Sequence, residues 1–247
     1  LDMKPKFKIT PKVIIIDWDE TITKYDTIGL LGSIPYKNKI LSCNLPPWSH
    51  FNNYYFQQFK SFNDSFNAKH KVTSTKDEIY YQKQLKSIDL LSINKIVKSK
   101  VFENVTDKQF KNLLDDIKIR EGFWEFINSL IQNDNENLPN YKIARKIIIL
   151  SVNWSKLPIQ HAFIQNLGSE NYHKYIKIIT NEFEFQTVNT NELTGKINDS
   201  NELINVLIKI KNSLMLKTKE KDMMIYIGDS RTDLLSMLNC DIGFIMS

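Results

Sequence analysis

Three continuous apolar runs constrain this chain more than anything else in it. Val13-Ile14-Ile15-Ile16, Ile147-Ile148-Ile149-Leu150 and Met223-Met224-Ile225-Tyr226-Ile227 show no polar alternation, and the first two consist largely of isoleucine. A strand with one wet face alternates, whereas a strand covered on both faces does not, so these runs belong in a sheet sandwiched between helices. Each run stops at a polar position: Asp17, Ser151 and Gly228-Asp229. In a parallel sheet the carboxyl ends lie side by side, and ligands bind in the crevice beyond them. The three stops are therefore expected to meet. A fourth strand is expected over Ile176 to Thr180.

Helical signals fill the gaps. Gly122 to Ile131 carries Phe123, Phe126, Ile127 and Leu130 at helical spacing, and Ile159 to Leu167 reads as a helix that Gly168 would end. Ser200-Asn201-Glu202 is expected to cap a helix running through Leu207 to Lys211. Alternating strands and helices define an α/β fold, a Rossmann-like parallel sheet core with helices on both faces. Residues 25–118 break the alternation. Phe51, Tyr55, Phe59, Phe62 and Phe66 make an aromatic stripe, expected to form a helical core. Thr75-Lys76-Asp77-Glu78 and Thr106-Asp107-Lys108-Gln109 match capping boxes. The segment reads as an α-helical cap inserted after the first strand, with residues 1–24 and 119–247 forming the core. Pro46-Pro47-Trp48 is its one rigid aromatic loop and a candidate substrate contact.

A net charge of +5 and a pI near 8.9 invite a nucleic-acid reading. The lysines are scattered, however, and the densest cluster, Lys217 to Lys221, includes Glu220. No zinc-ligand spacing or RNA-binding aromatic motif accompanies it, so attraction for anionic small molecules is the expectation, not nucleic-acid binding. No apolar run is long enough to span a bilayer, and no secretory signal pattern opens the chain; Leu1-Asp2 reads as vector residue before Met3. Two cysteines, Cys43 and Cys240, argue for a reducing, cytoplasmic setting without a disulfide framework, Cys240 being a small core residue. The histidines (His50, His70, His161, His173) form no ligand-spaced pair. Nothing in the sequence indicates an oligomeric state.

The chemistry lies at the strand ends. Asp17 and Asp19 stand at i and i+2, so in an extended chain they could face one ligand together. Two like charges that close raise a pKa or recruit a cation. An acidic turn after a strand is common, and Ser151 alone would read as a helix cap. Asp17-Trp18-Asp19-Glu20-Thr21 together with Gly228-Asp229-Ser230-Arg231-Thr232-Asp233, both after apolar strands, is a far more specific pattern.

These motifs resemble the haloacid dehalogenase (HAD) superfamily, mostly Mg2+-dependent phosphatases, whose first motif is DxDx[TV]. Ser151-Val152-Asn153-Trp154-Ser155, Asn181-Glu182-Phe183 and Gly228 to Leu234 look nearest to fungal relatives of thiamine-monophosphate phosphatase, within the phosphoserine-phosphatase-like subgroup. The resemblance implies a small-molecule phosphate monoester as substrate, with Asp17 as a nucleophile forming an aspartyl-phosphate. Asp19 would be the general acid and base. Mg2+ would be held by Asp17, the Asp19 carbonyl and Asp229, with Asp233 as a direct or water-mediated partner. Thr21, Ser151 and the backbone of Val152 and Asn153 would hold phosphate. Trp18 is expected to pack under the cap.

One element departs from the family pattern. Its third motif is a lysine, expected here near Ser200 to Ile204, and the nearest candidates are Lys196 and Lys209. Two functional expectations follow: a phosphatase acting on thiamine monophosphate or phosphoserine, or a HAD-fold binding and regulatory protein with weak or no turnover. A DxDxT-type phosphoprotein phosphatase fits less well, because the long insertion restricts access.

Overall fold

The computed structural model describes residues 11–37, 44–113, 115–137, 145–185, 193–198 and 223–247. All three apolar runs form strands. β1 (Val13–Ile16), β2 (Lys146–Leu150), β3 (Ile176–Ile179), β6 (Met224–Gly228) and β7 (Ile242–Ile245) make one parallel sheet in the order β3-β2-β1-β6-β7. β4 (Glu182–Phe185) and β5 (Leu193–Asn198) pair separately and antiparallel. β1 is central, with Ile15 in register with Ile148 on one side and Tyr226 on the other.

Strand alternation explains why the runs must be apolar throughout. Ile14, Ile16, Ile147 and Ile149 point to one face, where they pack with Ile127 and Phe163. Val13, Ile15, Ile148, Leu150, Met224 and Tyr226 point to the other, against Met237. Cys240 lies half-buried beside this second cluster. From β1 the chain moves through β2 to β3 on one side, while β6 and β7 lie on the other. The crevice between β1 and β6 is thus the topological switch point, where such sheets bind ligands.

Among the described residues, four α-helices separate β1 from β2 before the helix that leads into β2: α1 (Ile28–Ser33), α2 (Trp48–Lys69), α3 (Thr75–Lys98) and α4 (Asp107–Lys111). The aromatic stripe runs along α2 as expected. Phe66 is buried with Tyr81 and Leu85 of α3, flanked by Phe59 and Phe62, while Phe51 joins the main core. α3 begins one residue earlier than the motif suggests. Ser74 is the N-cap: its hydroxyl accepts the Asp77 N–H (3.3 Å), and Asp77 accepts the Ser74 N–H (2.9 Å). Glu78 cannot serve as the box residue because its carboxylate is engaged by Arg231. Thr106 and Gln109 form the second box as expected.

α5 (Phe123–Asn137) leads into β2, and the buried Arg145–Asp134 pair (3.3 Å) ties the two together. α6 (Leu157–Tyr175) then leads into β3. Gly168, non-helical at φ 77° and ψ 158°, ends the first helical stretch as expected, and a second stretch follows it directly to Tyr175. Tyr175 closes the second stretch, its ring in the core and its hydroxyl donating to Asn135 Oδ1 (2.7 Å). A short 3-10 turn (Arg231–Asp233) and α7 (Leu234–Leu238) join β6 to β7. The helix expected over 200–211 and Cys43 lie outside the described residues. No helix among the described residues is long and apolar enough to cross a membrane.

Candidate active site

Asp17 is the first residue past β1. Its N–H donates to the Ile227 carbonyl (2.9 Å), extending the ladder by one step. The chain then turns sharply, and the Trp18 carbonyl accepts the N–H groups of both Ile22 (2.9 Å) and Thr23 (3.0 Å). Glu20 pays for the turn with a left-handed φ of 56°, and Arg120 fastens it by donating from Nε and Nη2 to the Glu20 carbonyl (3.1 and 2.6 Å). On the neighbouring strand, Gly228 delivers Asp229 into a turn capped by Ser230 and Asp233.

These two turns bring Asp17, Asp229 and Asp233 together. Each offers one carboxylate oxygen within 4.8 Å of the others. No ion pair to any of the three is present among the described residues. Burial pushes the Asp17 carboxyl well above the ordinary carboxylate range, and the charges of Asp233, Asp19 and Asp229 add to it against a lowering backbone hydrogen bond from Trp18. Burial also raises Asp233, opposed by hydrogen bonds from Tyr226 and Ser230. Tyr226 Oη donates to Asp233 Oδ1 (2.7 Å), while Ser230 donates its N–H (3.1 Å) and hydroxyl (3.0 Å) to Oδ2. The Thr21 hydroxyl donates to Asp229 Oδ1 (2.9 Å). Three clustered acidic oxygens are a donor set suited to a hard divalent ion.

Gly228 makes the arrangement possible. A Cβ there would stand 2.6 Å from both Cγ and Oδ2 of Asp233, which is already pinned by Tyr226 and Ser230. Gly228→Ala is therefore expected to destabilise the fold by about 1–3 kcal/mol, read as a lower denaturation midpoint at unchanged slope.

Asp19 belongs to a second network. Its Oδ1 accepts the Thr27 N–H (2.7 Å) and hydroxyl (2.5 Å), and its Oδ2 accepts Asn153 Nδ2 (2.8 Å). The same Thr27 hydroxyl accepts from Trp18 Nε1 (3.2 Å) and Asn153 Nδ2 (2.9 Å), so its one donor and two acceptor positions are all used. That commitment explains why Thr27, the N-cap of α1, makes no side-chain capping bond. Burial pushes Asp19 up to about 6, against the lowering effect of the Thr27 and Asn153 hydrogen bonds.

Ser151 extends β2 through an N–H donated to the Ile179 carbonyl (3.1 Å) and is fully buried; its hydroxyl accepts the Asn153 N–H (3.1 Å). Val152 is 40% exposed, and its carbonyl accepts Asn181 Nδ2 (2.9 Å). The structure thus gathers Asp17, Asp19, Thr21, Ser151, Val152, Asn153, Asp229 and Asp233 around the carboxyl ends of β1, β2 and β6. Sequence reasoning missed Thr27 and Arg120, whose partners are remote or are backbone atoms, and it singled out Asn181 only as part of a motif, without its bond to the Val152 carbonyl. Trp18 is buried in the cluster that holds Leu31, Ile34 and Phe51 of the inserted segment, as expected, and also packs on Phe163 of α6 (ring centroids 6.5 Å). Trp48 crosses the face of Gly32, where a Cβ would come within 2.0 Å of the indole, and meets Trp154 edge-on at 6.3 Å. Lys196 lies in β5, and Lys209 lies outside the described residues.

The sheet order, the helical insertion after β1 and acidic residues at the ends of β1 and β6 define a HAD-like α/β fold. Among solved structures, a phospho-aspartyl intermediate analogue of phosphoserine phosphatase superposes over 96% of this chain and 86% of its own, with a TM-score of 0.50 and 13% identity. In sequence, the chain is 28% identical over 240 residues to a CTO1 family protein of Schizosaccharomyces pombe, covering 94% of this chain and 80% of that one. It is 27% identical over 252 residues to Cold tolerance protein 1 of Saccharomyces cerevisiae, covering 92% and 75%. No protein-family model matches the chain.

Proposed function

We propose that this protein is a cytoplasmic, Mg2+-dependent phosphatase that hydrolyses a small-molecule phosphate monoester through an aspartyl-phosphate on Asp17. The observation that carries the reading is the meeting of Asp17, Asp229 and Asp233 at the switch point, with Asp19 beside them on a separate hydrogen-bond network. Asp17, Asp229, Asp233 and the Asp19 carbonyl are assigned to the metal. When bound, the ion would offset repulsion between the anionic nucleophile and a dianionic ester and polarise the phosphoryl oxygens.

The chain's own residues account for the proton traffic. An Asp17 oxygen attacks phosphorus and the bond to the leaving oxygen breaks, while Asp19 gives that oxygen its proton. Asp19, now ionised, takes a proton from water; the water oxygen attacks phosphorus, and the bond to Asp17 breaks. A group pushed up to about 6 suits both halves of this exchange near neutral pH. Ser151, Thr21 and the backbone of Val152 and Asn153 are assigned to the phosphate oxygens, and residues 25–118 to enclosing the leaving group.

Thiamine monophosphate is the substrate we favour, on the motif resemblance; phosphoserine is the alternative, and their kcat/KM values separate the two. The test of the class is phosphate release from a panel of phosphomonoesters with and without Mg2+. Metal-dependent release supports the reading, and no release from any member overturns it. A second reading, a binding protein without turnover, rests on the sequence, which has no lysine over Ser200 to Ile204. That reading predicts binding of Mg2+ and phosphate analogues with no product.

Linkage gives a further expectation. Asp17, Asp19 and Asp233 are all raised in the folded protein, so the folded state holds protons that the unfolded state has released. Stability from these groups is greatest at low pH and falls as pH rises, for Asp19 between 3.8 and about 6. Mg2+ binds the ionised cluster and should therefore raise Tm more at pH 7 than at pH 5. At a free concentration a hundred times Kd the gain is about 2.7 kcal/mol. Equal shifts at both pH values would contradict the assignment.

A further inference from the structure

α3 presents Glu78, Tyr81 and Gln82 at i, i+3 and i+4, a single helical face. All three close on Arg231. The guanidinium donates from Nε to Glu78 Oε1 (3.0 Å) and Oε2 (3.1 Å) and from Nη2 to Oε2 (2.8 Å). Its Cζ lies 3.6 Å from the centre of the Tyr81 ring. Gln82 Nε2 donates to the Arg231 carbonyl (2.9 Å) and to Glu78 Oε1 (3.1 Å), closing the socket around side chain and backbone together. This differs from an ordinary surface pair, because the Glu78 side chain is only 5% exposed. A buried carboxylate held by a planar fork loses much if its partner leaves.

Arg231 stands two residues from Asp229 and two from Asp233, inside the turn that sets their spacing. Asp229 itself takes only the Thr21 hydroxyl bond among the described contacts, so the conformation of its turn depends on what grips the residues after it. We propose that Arg231 is a positioning residue through which the helical insertion holds the acidic turn of residues 229–233, so that the turn is held more tightly while α3 sits on it. The consequence for metal binding rests on the proposed function; the coupling of α3 to the turn does not. An insertion that moved away to admit substrate would loosen the turn around Asp229, Asp233 keeping its bonds from Tyr226 and Ser230, and reseating it would restore the turn.

The test is hydrogen exchange of the metal-free protein together with calorimetric titration of Mg2+. In Glu78→Gln, amides of residues 228–234 are expected to exchange about tenfold faster than in wild type, and the Kd for Mg2+ to rise about tenfold. Gln84→Ala, an exposed change on the same helix, should alter neither. Exchanging the charges, Glu78→Arg with Arg231→Glu, should recover part of the protection. A purely structural ion pair would lower Tm and leave exchange in the turn unchanged; that result in a folded Glu78→Gln protein overturns the proposal. If Glu78→Gln does not fold, Gln82→Ala carries the test, since it removes only the bonds to Glu78 and the Arg231 carbonyl; unchanged exchange there overturns the proposal equally. Faster exchange in the turn of a protein that binds no Mg2+ even as wild type would uphold the coupling and refute the metal assignment.

Discussion

Asp17→Asn is expected to reduce phosphate release by about 10⁴-fold or more, the scale on which loss of a covalent nucleophile is felt. The amide keeps the shape of the carboxylate but cannot form the acyl-phosphate. The same substitution should make the metal-free protein more heat-stable. Asp17 is a buried acid raised by burial and by the neighbouring charges of Asp233, Asp19 and Asp229, so neutralising it relieves repulsion in the folded state alone. Lower activity with higher Tm is the signature of a residue kept for chemistry at a cost in stability. Loss of activity accompanied by a fall in Tm would instead mark Asp17 as a structural residue. Metal-free thermal melts alongside phosphate release distinguish the two outcomes.

Asp19→Ala is expected to slow turnover of an alkyl phosphate by about 10²–10⁴-fold. The loss in the first step should be smaller for an aryl phosphate, whose leaving group departs without protonation. The second step still needs a base to activate water, so phosphoenzyme should accumulate from the aryl ester and appear as a burst followed by a slow steady state. The variant also strips the acceptor from the Thr27 N–H, the Thr27 hydroxyl and Asn153 Nδ2, and should be less stable by about 1–3 kcal/mol. Rapid-quench kinetics on both esters provides the check. Equal losses on the two with no burst would remove Asp19 from the acid and base role.

The strands and their polar stops were legible because burial on both faces leaves an unmistakable mark. Val13 to Ile16 could not sit on a wet surface, and once it was central, Asp17 had to emerge beside Asp229. What stayed hidden was side-chain partnership. Asp17 and Asp19 suggested one shared ligand, but nothing in the sequence signalled that the Asp19 carboxylate is held by Thr27 and Asn153. The capping box of α3 was misplaced by one residue for the same kind of reason. Ser74–Asp77 and Thr75–Glu78 both fit the motif, and only the distant Arg231 decides between them. Gly168 ends a helical stretch as its position suggests, and what carried no local signal is the second stretch that follows it directly to Tyr175. Contacts between residues far apart in sequence have no local signature, and both the Asp19 network and the Arg231 socket are made of them.

The most direct measurement is mass spectrometry of the protein quenched in acid during turnover of an aryl phosphate with Mg2+, comparing wild type, Asp19→Ala and Asp17→Asn. A phosphoryl group on the peptide containing Asp17, enriched in Asp19→Ala and missing from Asp17→Asn, is the predicted result. Release of phosphate by the wild type with no label on that peptide in either active protein, or with the same label in Asp17→Asn, would contradict a nucleophilic Asp17.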